Sequence, residues 1–169
     1  TMTNAFGCDV AIYQTSFNPA VATGAVNFAI EKVTDGINVH SGLETMWQGV
    51  KQVNVRGGYH YMRSNVTWLD QANKFLDTAA TKDFHIYALD FEQANNIITS
   101  EFCRDARRLI DYWRSKTNKR VILYTNMNHY NQLRTAIQDD VWLNNVPLWL
   151  ANPNNTPGVT ALPAGRTSW

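Results

Sequence analysis

Two acidic side chains, Asp90 and Glu92, stand two positions apart at the end of the apolar segment HIYALDFEQ. In a β-strand, a side-chain period of two would place both carboxyl groups on one face, with their backbones about 6–7 Å apart. Carboxylates this close repel each other, so one of them should keep its proton to a higher pH. A protonated acid beside an ionised carboxylate is the arrangement that cleaves glycosidic bonds. A charged, solvent-facing strand end would look the same, so the motif alone leaves both interpretations open.

Other segments contain polar residues where apolar ones are expected. Asp9 interrupts the apolar run GCDVAIYQ, and taken alone it also fits a turn or a helix cap. Lys32 in NFAIEKVTDG is either a charge partner in a cleft or a surface lysine whose stem covers apolar surface. In GGYHYM, Tyr59 and Tyr61 share one face and His60 takes the other, where a hydrogen-bonded core histidine is more common than a catalyst.

Aromatic residues stand near the ends of the same predicted strands. They are Tyr13, Tyr61, Tyr124 and Trp149. Aromatic rings stack on the apolar C–H faces of sugars while neighbouring polar groups bind the hydroxyls. Any one of these rings is well explained as core filling, but their joint position beside acidic residues favours a carbohydrate-binding cleft.

Other kinds of site find little support in the sequence. The four histidines show no metal-ligand spacing, and no phosphate-binding glycine loop or nucleophile elbow is present, so neither a metal nor a cofactor is expected. The formal net charge of +1 gives no reason to expect nucleic acid as a partner. No apolar stretch approaches the roughly 20 residues of a membrane span, and the segment TMTNAFGCDV does not resemble a signal peptide.

The two cysteines, Cys8 and Cys103, form no metal-binding pattern, and we expect two reduced, buried thiols. If Asp9 faces the cleft, strand alternation turns its neighbour Cys8 toward the helices. Cys103 falls on a predicted helix away from the first strand. Because a disulfide needs Cα atoms within about 7 Å, we predict that the two cysteines are not bonded to each other.

These residues must be positioned by a scaffold in which short apolar strands alternate with amphipathic helices. The predicted strands cover residues 7–13, 27–33, 56–62, 85–92, 120–126 and 147–152. Apolar residues that recur on one face predict four helices, and a Ser41–Glu44 capping box marks the start of the first. The four apolar faces consist of Leu43, Met46, Trp47 and Val50; of Leu69, Ala72, Phe75, Leu76 and Ala79; of Phe102, Ala106, Leu109, Ile110 and Trp113; and of Tyr130, Leu133 and Ile137. Such alternation predicts an α/β fold with a parallel sheet, and strands that are apolar almost throughout predict a barrel wrapped by helices.

The length of the chain limits the size of this barrel. A sequence of 169 residues predicts one domain spanning residues 1–169. Six strands are too few for a regular eight-stranded barrel, which takes about 250 residues. We therefore predict a shortened, TIM-like β/α barrel whose last strands are missing from this chain.

In their order along the chain, these segments resemble the Chalaropsis-type lysozymes of glycoside hydrolase family 25. The matching pieces are GCDVAIYQ, FAIEKVTDG, GGYHYM followed by a helix with Asp70, Gln71 and Ala72, ALDFE, VILYTN and LWLA. Each piece is unspecific alone, whereas the ordered set is specific. The resemblance implies a shortened β/α barrel that hydrolyses the β-1,4 bond between N-acetylmuramic acid and N-acetylglucosamine in peptidoglycan, with retention of configuration.

The resemblance also implies roles for individual residues. Glu92 matches the general acid, Asp90 the carboxylate that assists it, and Asp9 a further acidic residue of the cleft. Positions that line the sugar groove are matched by Lys32, Tyr61, Tyr124 and Trp149. The nucleophile is left open between an enzyme carboxylate and the substrate's own acetamido group, which is a known exception to the two-carboxylate scheme.

The chain departs from the family pattern in its last part. Asn152 and Pro153 follow LWLA where the family usually has an aromatic residue, and the sequence stops at Trp169, where a W-Q-Y strand and a last strand with another aspartate are expected. We therefore expect an open seam between the strands at 147–152 and 7–13, filled by a further chain or a C-terminal segment.

Two hypotheses of different kinds follow from the sequence. The first is an active muramidase directed at the cell wall, as a phage lysin, a virion-associated domain or a secreted antimicrobial enzyme. The second is a non-catalytic glycan-binding or structural barrel within a larger phage or cell-wall assembly. The Asp90–Glu92 pair favours the enzyme, because a binding module has no need of two repelling carboxylates. The missing strands favour the alternative.

Overall fold

Strands and helices alternate along the chain, as the sequence pattern predicts. The computed structural model describes residues 6–11, 17–18, 26–93, 98–151 and 162–166. The strands are β1 (Phe6–Val10), β2 (Val26–Asp35), β3 (Asn38–Val39), β4 (Val55–Tyr61), β5 (Ile86–Asp90), β6 (Arg120–Asn126) and β7 (Leu148–Ala151). The helices are α1 (Leu43–Val50), α2 (Trp68–Ala79), α3 (Ser100–Lys116), α4 (Met127–Ile137) and α5 (Asp140–Asn145).

Six of the strands form one parallel sheet in the order β1-β2-β4-β5-β6-β7. The short β3 pairs antiparallel with β2 across a turn in which Gly36 has a φ of 55°, a left-handed conformation that favours glycine. Because successive strands of the sheet are parallel, their carboxyl ends meet along one edge. The predicted α/β architecture with a shortened barrel-like sheet is therefore present.

The sheet is curled and remains open in the part of the chain that the structure describes. Asp9 of β1 and Trp149 of β7 line the same cavity although their strands stand at opposite edges of the sheet, so the sheet must curve to bring them together. No pairing joins β1 to β7 among the described residues. The expected filling segment stays a prediction, since residues 152–161 lie outside the described part.

The apolar faces of the helices pack against the outer face of the sheet. Trp113 of α3 is fully buried, stacks on Phe75 of α2 at 4.2 Å between ring centroids, and donates its indole N–H to the carbonyl of Ala72. The predicted α3 face is buried throughout. The loss of a Trp or Phe side chain from such a core typically costs about 3–5 kcal/mol, so this layer contributes strongly to the stability of the fold.

Two local predictions from the sequence are wrong and two short elements are missed, each for a physical reason. The Ser41–Glu44 capping box is absent, because α1 begins one residue later with Gly42 as its N-cap and Glu44 pairs with Lys82 instead. Leu69 is 40% exposed, and the buried place on that face of α2 is taken by Gln71, whose amide is fully hydrogen-bonded. The short elements β3 and α5 are also missed, because they carry too few residues to show a period.

Both cysteines are free thiols, so the prediction that they are not bonded to each other is confirmed. Cys103 is buried, whereas Cys8 is only partly buried and packs against the core, on the outer side of β1 as expected. Burial raises the pKa of the Cys103 thiol to about 11, so this group is protonated at neutral pH. Within the described residues, no helix is long and apolar enough to cross a membrane.

Candidate active site

An open cavity of about 190 Å³ lies at the carboxyl edge of the sheet. Its walls are formed by Asp9, Tyr59, Asp90, Glu92, Tyr124 and Trp149. Strands β1, β4, β5, β6 and β7 therefore all reach it, as expected for a site at the carboxyl ends of parallel strands. Three carboxyl groups and three aromatic rings share this small space.

Strand register explains how residues far apart in sequence meet here. Tyr61 lies opposite Asp90, Asp90 opposite Tyr124, and Tyr124 opposite Trp149 across four neighbouring strands. In-register residues of a parallel sheet point to the same face, so these four side chains form one row. The rings of Tyr124 and Trp149 meet edge to face, with centroids 4.8 Å apart. The row combines an acidic group with a wall of aromatic surface.

Glu92 lines the cavity, but it does not belong to the strand that was predicted to carry it. Strand β5 ends at Asp90, so Glu92 follows the strand and the argument from strand alternation does not apply to it. Phe91 fixes the chain between the two acids, since its N–H donates to the carbonyl of Tyr124 at 2.9 Å. The hydroxyl of Thr125 donates to the carbonyl of Phe91 at 2.8 Å. The fully buried ring of Phe91 also stacks on Phe102, so the backbone that carries Glu92 is held on three sides.

Burial controls the protonation of Asp90. The side chain is only 8% exposed, and its Oδ1 has no hydrogen-bond partner among the described residues. Burial, with a smaller contribution from the charge of Glu92, raises the pKa of Asp90 to about 8, although Lys32 acts in the opposite direction. Asp90 therefore holds a proton at neutral pH. One acid of the pair therefore keeps its proton to a higher pH, as expected, with burial as the larger cause.

Lys32 and Tyr61 lie beside the cavity in a charged cluster. Lys32 donates to Asp35 at 2.8 Å, and Arg63 donates to both carboxyl oxygens of Asp35, at 2.5 and 3.0 Å. The two cations lie over the ring of Tyr61, at 5.1 Å for Lys32 and 4.5 Å for Arg63. Although burial acts to raise it, the hydrogen bonds from Arg63 and Lys32 lower the pKa of Asp35 to about 2. The cluster leaves a net positive charge next to the acidic cleft.

His60 has the structural role that the sequence favoured. It is fully buried, with Nδ1 at 2.8 Å from the hydroxyl of Thr34 and Nε2 at 3.2 Å from the amide oxygen of Gln71. Burial lowers its pKa to about 4, so the ring is neutral. Gln71 also accepts from the backbone N–H of Arg63 at 2.8 Å. This network fixes the end of β4 beside the cleft.

Four residues near the cavity are not assigned to the site from the sequence, although Tyr59 is predicted on the same face as Tyr61. Tyr59 lines the cavity, Asp35 and Arg63 build the neighbouring charged cluster, and the side-chain nitrogen of Asn126 lies 3.4 Å from Oε1 of Glu92. A signal for Asn126 was available, because it stands two positions after Tyr124 on the same strand and therefore on the same face.

The predicted site residues fall into three groups. Those that line the cavity are Asp9, Asp90, Glu92, Tyr124 and Trp149, while Lys32 and Tyr61 stand next to it. Tyr13 lies outside the described residues. No group of histidine, cysteine and acidic side chains that could hold a metal is found in the described ranges. Such a cleft can bind a sugar against its rings and transfer protons through its carboxyl groups.

Comparison with known proteins agrees with this geometry. The sequence matches the family described as Glycosyl hydrolases family 25 over residues 8–169. The fold is similar to that of a family 25 glycosyl hydrolase from Bacillus anthracis, with a TM-score of 0.76, 19% identity, and coverage of 96% of this chain and 75% of that one. A comparison with curated protein sequences found no match.

Two further solved structures share the fold. For the bacterial lysozyme from Streptomyces coelicolor, the TM-score is 0.76 at 21% identity, over 96% of this chain and 80% of that one. For a muramidase from Acremonium alcalophilum, the TM-score is 0.75 at 23% identity, over 95% of this chain and 82% of that one. The predicted resemblance and the predicted shortened barrel are both confirmed.

Proposed function

Since the chain belongs to glycosyl hydrolase family 25 and is therefore a glycoside hydrolase, we propose that it cleaves the β-1,4 bond between N-acetylmuramic acid and N-acetylglucosamine in peptidoglycan. Structural relatives described as a lysozyme, a muramidase and a Listeria phage endolysin support a substrate in the bacterial cell wall. The whole of residues 1–169 then serves as one catalytic domain that acts on glycan strands without a metal or cofactor.

The observation that carries this proposal is the Asp90–Glu92 pair in a cleft walled by aromatic rings. Glu92 is the more exposed of the two acids and borders the asparagine at the end of β6, so it is the member placed to reach a substrate oxygen. Asp90 lies deeper and stays protonated until the pH approaches 8. Together the pair keeps one proton at neutral pH, which a general acid requires.

In the proposed reaction, Glu92 donates a proton to the glycosidic oxygen as the bond to the anomeric carbon breaks. It later accepts a proton from the water that completes hydrolysis. Asp90 assists by passing the pair's proton to Glu92, and the Asp90 carboxylate left behind stabilises the positive charge that develops at the anomeric carbon. Asp9 is a further carboxylate that faces the sugar, and Tyr124 and Trp149 provide the surface on which the sugar rings stack.

The lysis of purified cell walls by Glu92→Gln tests this assignment. Glutamine keeps the shape of the side chain but cannot donate an acidic proton, so we expect activity to fall by about 10²–10⁴-fold. Glu44→Gln is the matched control, because Glu44 lies on α1 with its side chain 74% exposed and should leave activity unchanged. Near-normal lysis by Glu92→Gln would remove Glu92 from the role of acid.

The cleaved bond is identified separately by reducing the products with borohydride and determining their masses. Cleavage at the proposed bond leaves N-acetylmuramic acid at every new reducing end. New ends that carry N-acetylglucosamine would contradict the proposed bond while leaving glycoside hydrolysis intact. Absence of any new reducing end with the unmodified protein would contradict the catalytic proposal itself and favour a domain that only binds glycan.

A further inference from the structure

Asn126 is the residue at which strand β6 passes directly into helix α4, and it lies beside Glu92. The strand ends at Asn126 and the helix begins at Met127, without an intervening loop. The side-chain oxygen of Asn126 accepts from the backbone N–H of His129 at 2.9 Å and so caps the helix. Its side-chain nitrogen lies 3.4 Å from Oε1 of Glu92. One amide group therefore both starts a helix and contacts the proposed acid.

The orientation of this amide follows from its partners. The backbone N–H of His129 can only donate, so the atom that faces it must be the amide oxygen. The amide nitrogen then faces Oε1 of Glu92 and also Nδ1 of His129, which is 2.9 Å away. Because this nitrogen carries two hydrogens and accepts none, each of these two neighbours must act as an acceptor.

His129 is held in the form that this geometry needs. A ring nitrogen that accepts from Asn126 carries no proton, so His129 is neutral with its hydrogen on Nε2. Its side chain is 1% exposed, and burial lowers its pKa, although the charge of Glu92 opposes that shift. Nε2 has no hydrogen-bond partner within the described residues. An unpartnered buried N–H costs stability, so packing alone does not explain a histidine here, whereas the acceptor at Nδ1 does.

We propose that Asn126 is a positioning residue that holds the carboxyl group of Glu92 in the orientation for proton transfer, with His129 fixing the amide. The proposal rests on the proposed role of Glu92 as the acid. A donor at Oε1 leaves Oε2 as the oxygen that carries the transferred proton. The 3.4 Å contact is long, and hydrogen bonds of this kind in empty active sites commonly shorten when substrate binds.

Asn126→Ser separates the two tasks of this residue. Serine retains an oxygen that caps a helix but has no amide nitrogen to hold Glu92. On a soluble peptidoglycan fragment, we expect kcat to fall about 10- to 100-fold while KM changes less than about twofold, because a misplaced acid slows the chemical step. Asn126→Asp keeps both the cap and the shape of the side chain and replaces the donor by a carboxylate. Its kcat should fall at least as far.

His129→Phe tests whether His129 fixes the side-chain amide of Asn126. Phenylalanine fills the buried site but offers no acceptor to the amide, so we expect a several-fold loss of kcat. In the Asn126→Ser background the same change should cause no further loss, because its effect passes through the amide that serine has already removed. Full additivity of the two losses would contradict a shared route.

The matched control is Asp139→Ala, which removes the N-cap of α5. Asp139 accepts from the N–H of Trp142 and from the guanidinium of Arg107, both at 2.9 Å, and it is not among the residues that line the cavity. This variant should lower the unfolding midpoint as a lost cap does, yet keep kcat. If Asn126→Ser and Asn126→Asp both keep the wild-type kcat while Glu92→Gln is inactive, the positioning proposal alone fails. If Glu92→Gln is as active as the wild type, the role of Glu92 fails first.

Discussion

The two acids of the cleft differ in the part of the structure that holds them. Asp90 ends a buried strand and takes its properties from burial, whereas Glu92 follows that strand and depends on neighbouring groups that fix its backbone and side chain. A buried acid retains its proton and an accessible acid can deliver one. The short spacing in DFE thus provides two different environments within three residues.

The pH dependence of the rate follows from the state of Asp90. Its pKa is raised to about 8, so the pair keeps a proton below that value and loses it as the pH rises through it. We expect a bell-shaped profile of initial rate whose alkaline limb falls near pH 8, measured between about pH 4 and 10. In Asp90→Asn this limb near pH 8 should be lost, while Glu44→Gln should keep the wild-type profile. A rate that continues to rise into alkaline solution would contradict a carboxylic acid donor.

At the scale of the elements, the site depends on the contact between the end of β5 and the end of β6. The hydroxyl of Thr125 and the carbonyl of Tyr124 hold Phe91 from both sides, and α3 covers its ring through Phe102. The segment that presents Glu92 is therefore anchored by β6 and α3 although it belongs to neither. A small shift of this anchor would move the acid while leaving the sheet intact.

Thr125→Val is the variant that loosens this anchor with little change of shape. Valine leaves the carbonyl of Phe91 without the hydroxyl that donates to it at 2.8 Å in a fully buried site. We expect unfolding to become easier by about 1–3 kcal/mol, measured by urea denaturation, together with a lower kcat. Thr125→Ser, which keeps the hydroxyl, should recover most of the activity. Equal loss in both variants would attribute the effect to the missing methyl group.

The elements that sequence reasoning predicted well are those with a strong physical signal. The six strands of the parallel sheet are predictable because each contains a short apolar run and several are apolar almost throughout, and α3 is predictable because its apolar face repeats from Phe102 to Trp113. Asp90 is recognisable as a candidate site residue because a charged residue at the end of such an apolar strand is unusual.

Other residues give no such signal in a sequence. Arg63 and Asp35 look like ordinary surface charges until strand pairing brings β2 beside β4. The predicted cap of α1 is wrong by one residue because the Ser-x-x-Glu pattern does not show at which residue the backbone becomes helical. Asn126 ends a strand and starts a helix at once, and neither pattern draws attention to its contact with Glu92.

At the scale of the whole molecule, the width of the cleft is a property of the sheet. Its two walls include Asp9 from one edge strand and Trp149 from the other, with four strands between them. The curvature of the entire sheet therefore sets the distance across the cleft. A change in the packing of the helices on the outer face would therefore alter the width of the cleft, even where no core residue contacts a cavity residue.

Glu31 should make the free energy of unfolding depend on pH. It is fully buried on the outer face of β2, and neither carboxyl oxygen has a hydrogen-bond partner among the described residues. Burial raises its pKa to about 8, against the opposing charge of Lys82, so the proton is held more tightly in the folded than in the unfolded chain. Its contribution to stability is complete at acidic pH, below the ordinary glutamate value, and is lost as the pH rises through about 8.

We therefore expect the free energy of unfolding to fall from about pH 5 to pH 9, by up to about 1.4 kcal/mol per pH unit for one such group. Glu31→Gln, which cannot ionise, should flatten this decline, as measured by urea denaturation at several pH values. Glu101→Gln on α3 should leave the slope unchanged, because Glu101 is exposed and its hydrogen bonds from Arg108 and Arg104 lower its pKa, so that it stays ionised throughout this range. A decline that is equally steep in Glu31→Gln would assign the dependence to other groups, with Asp90→Asn as the next variant to measure.

The double role of Asn126 has a consequence for the set of amino acids that this position tolerates. If every residue were placed there and the library sorted for folded protein alone, several helix-capping residues should survive, among them Ser, Thr, Asp and Gly. Sorting the same library for cell-wall lysis should retain asparagine almost alone, because only it both caps α4 and donates to Glu92. Selection for thermal resistance alone would therefore accept substitutions of Asn126. The selected variants would be well folded but would no longer hydrolyse the cell wall.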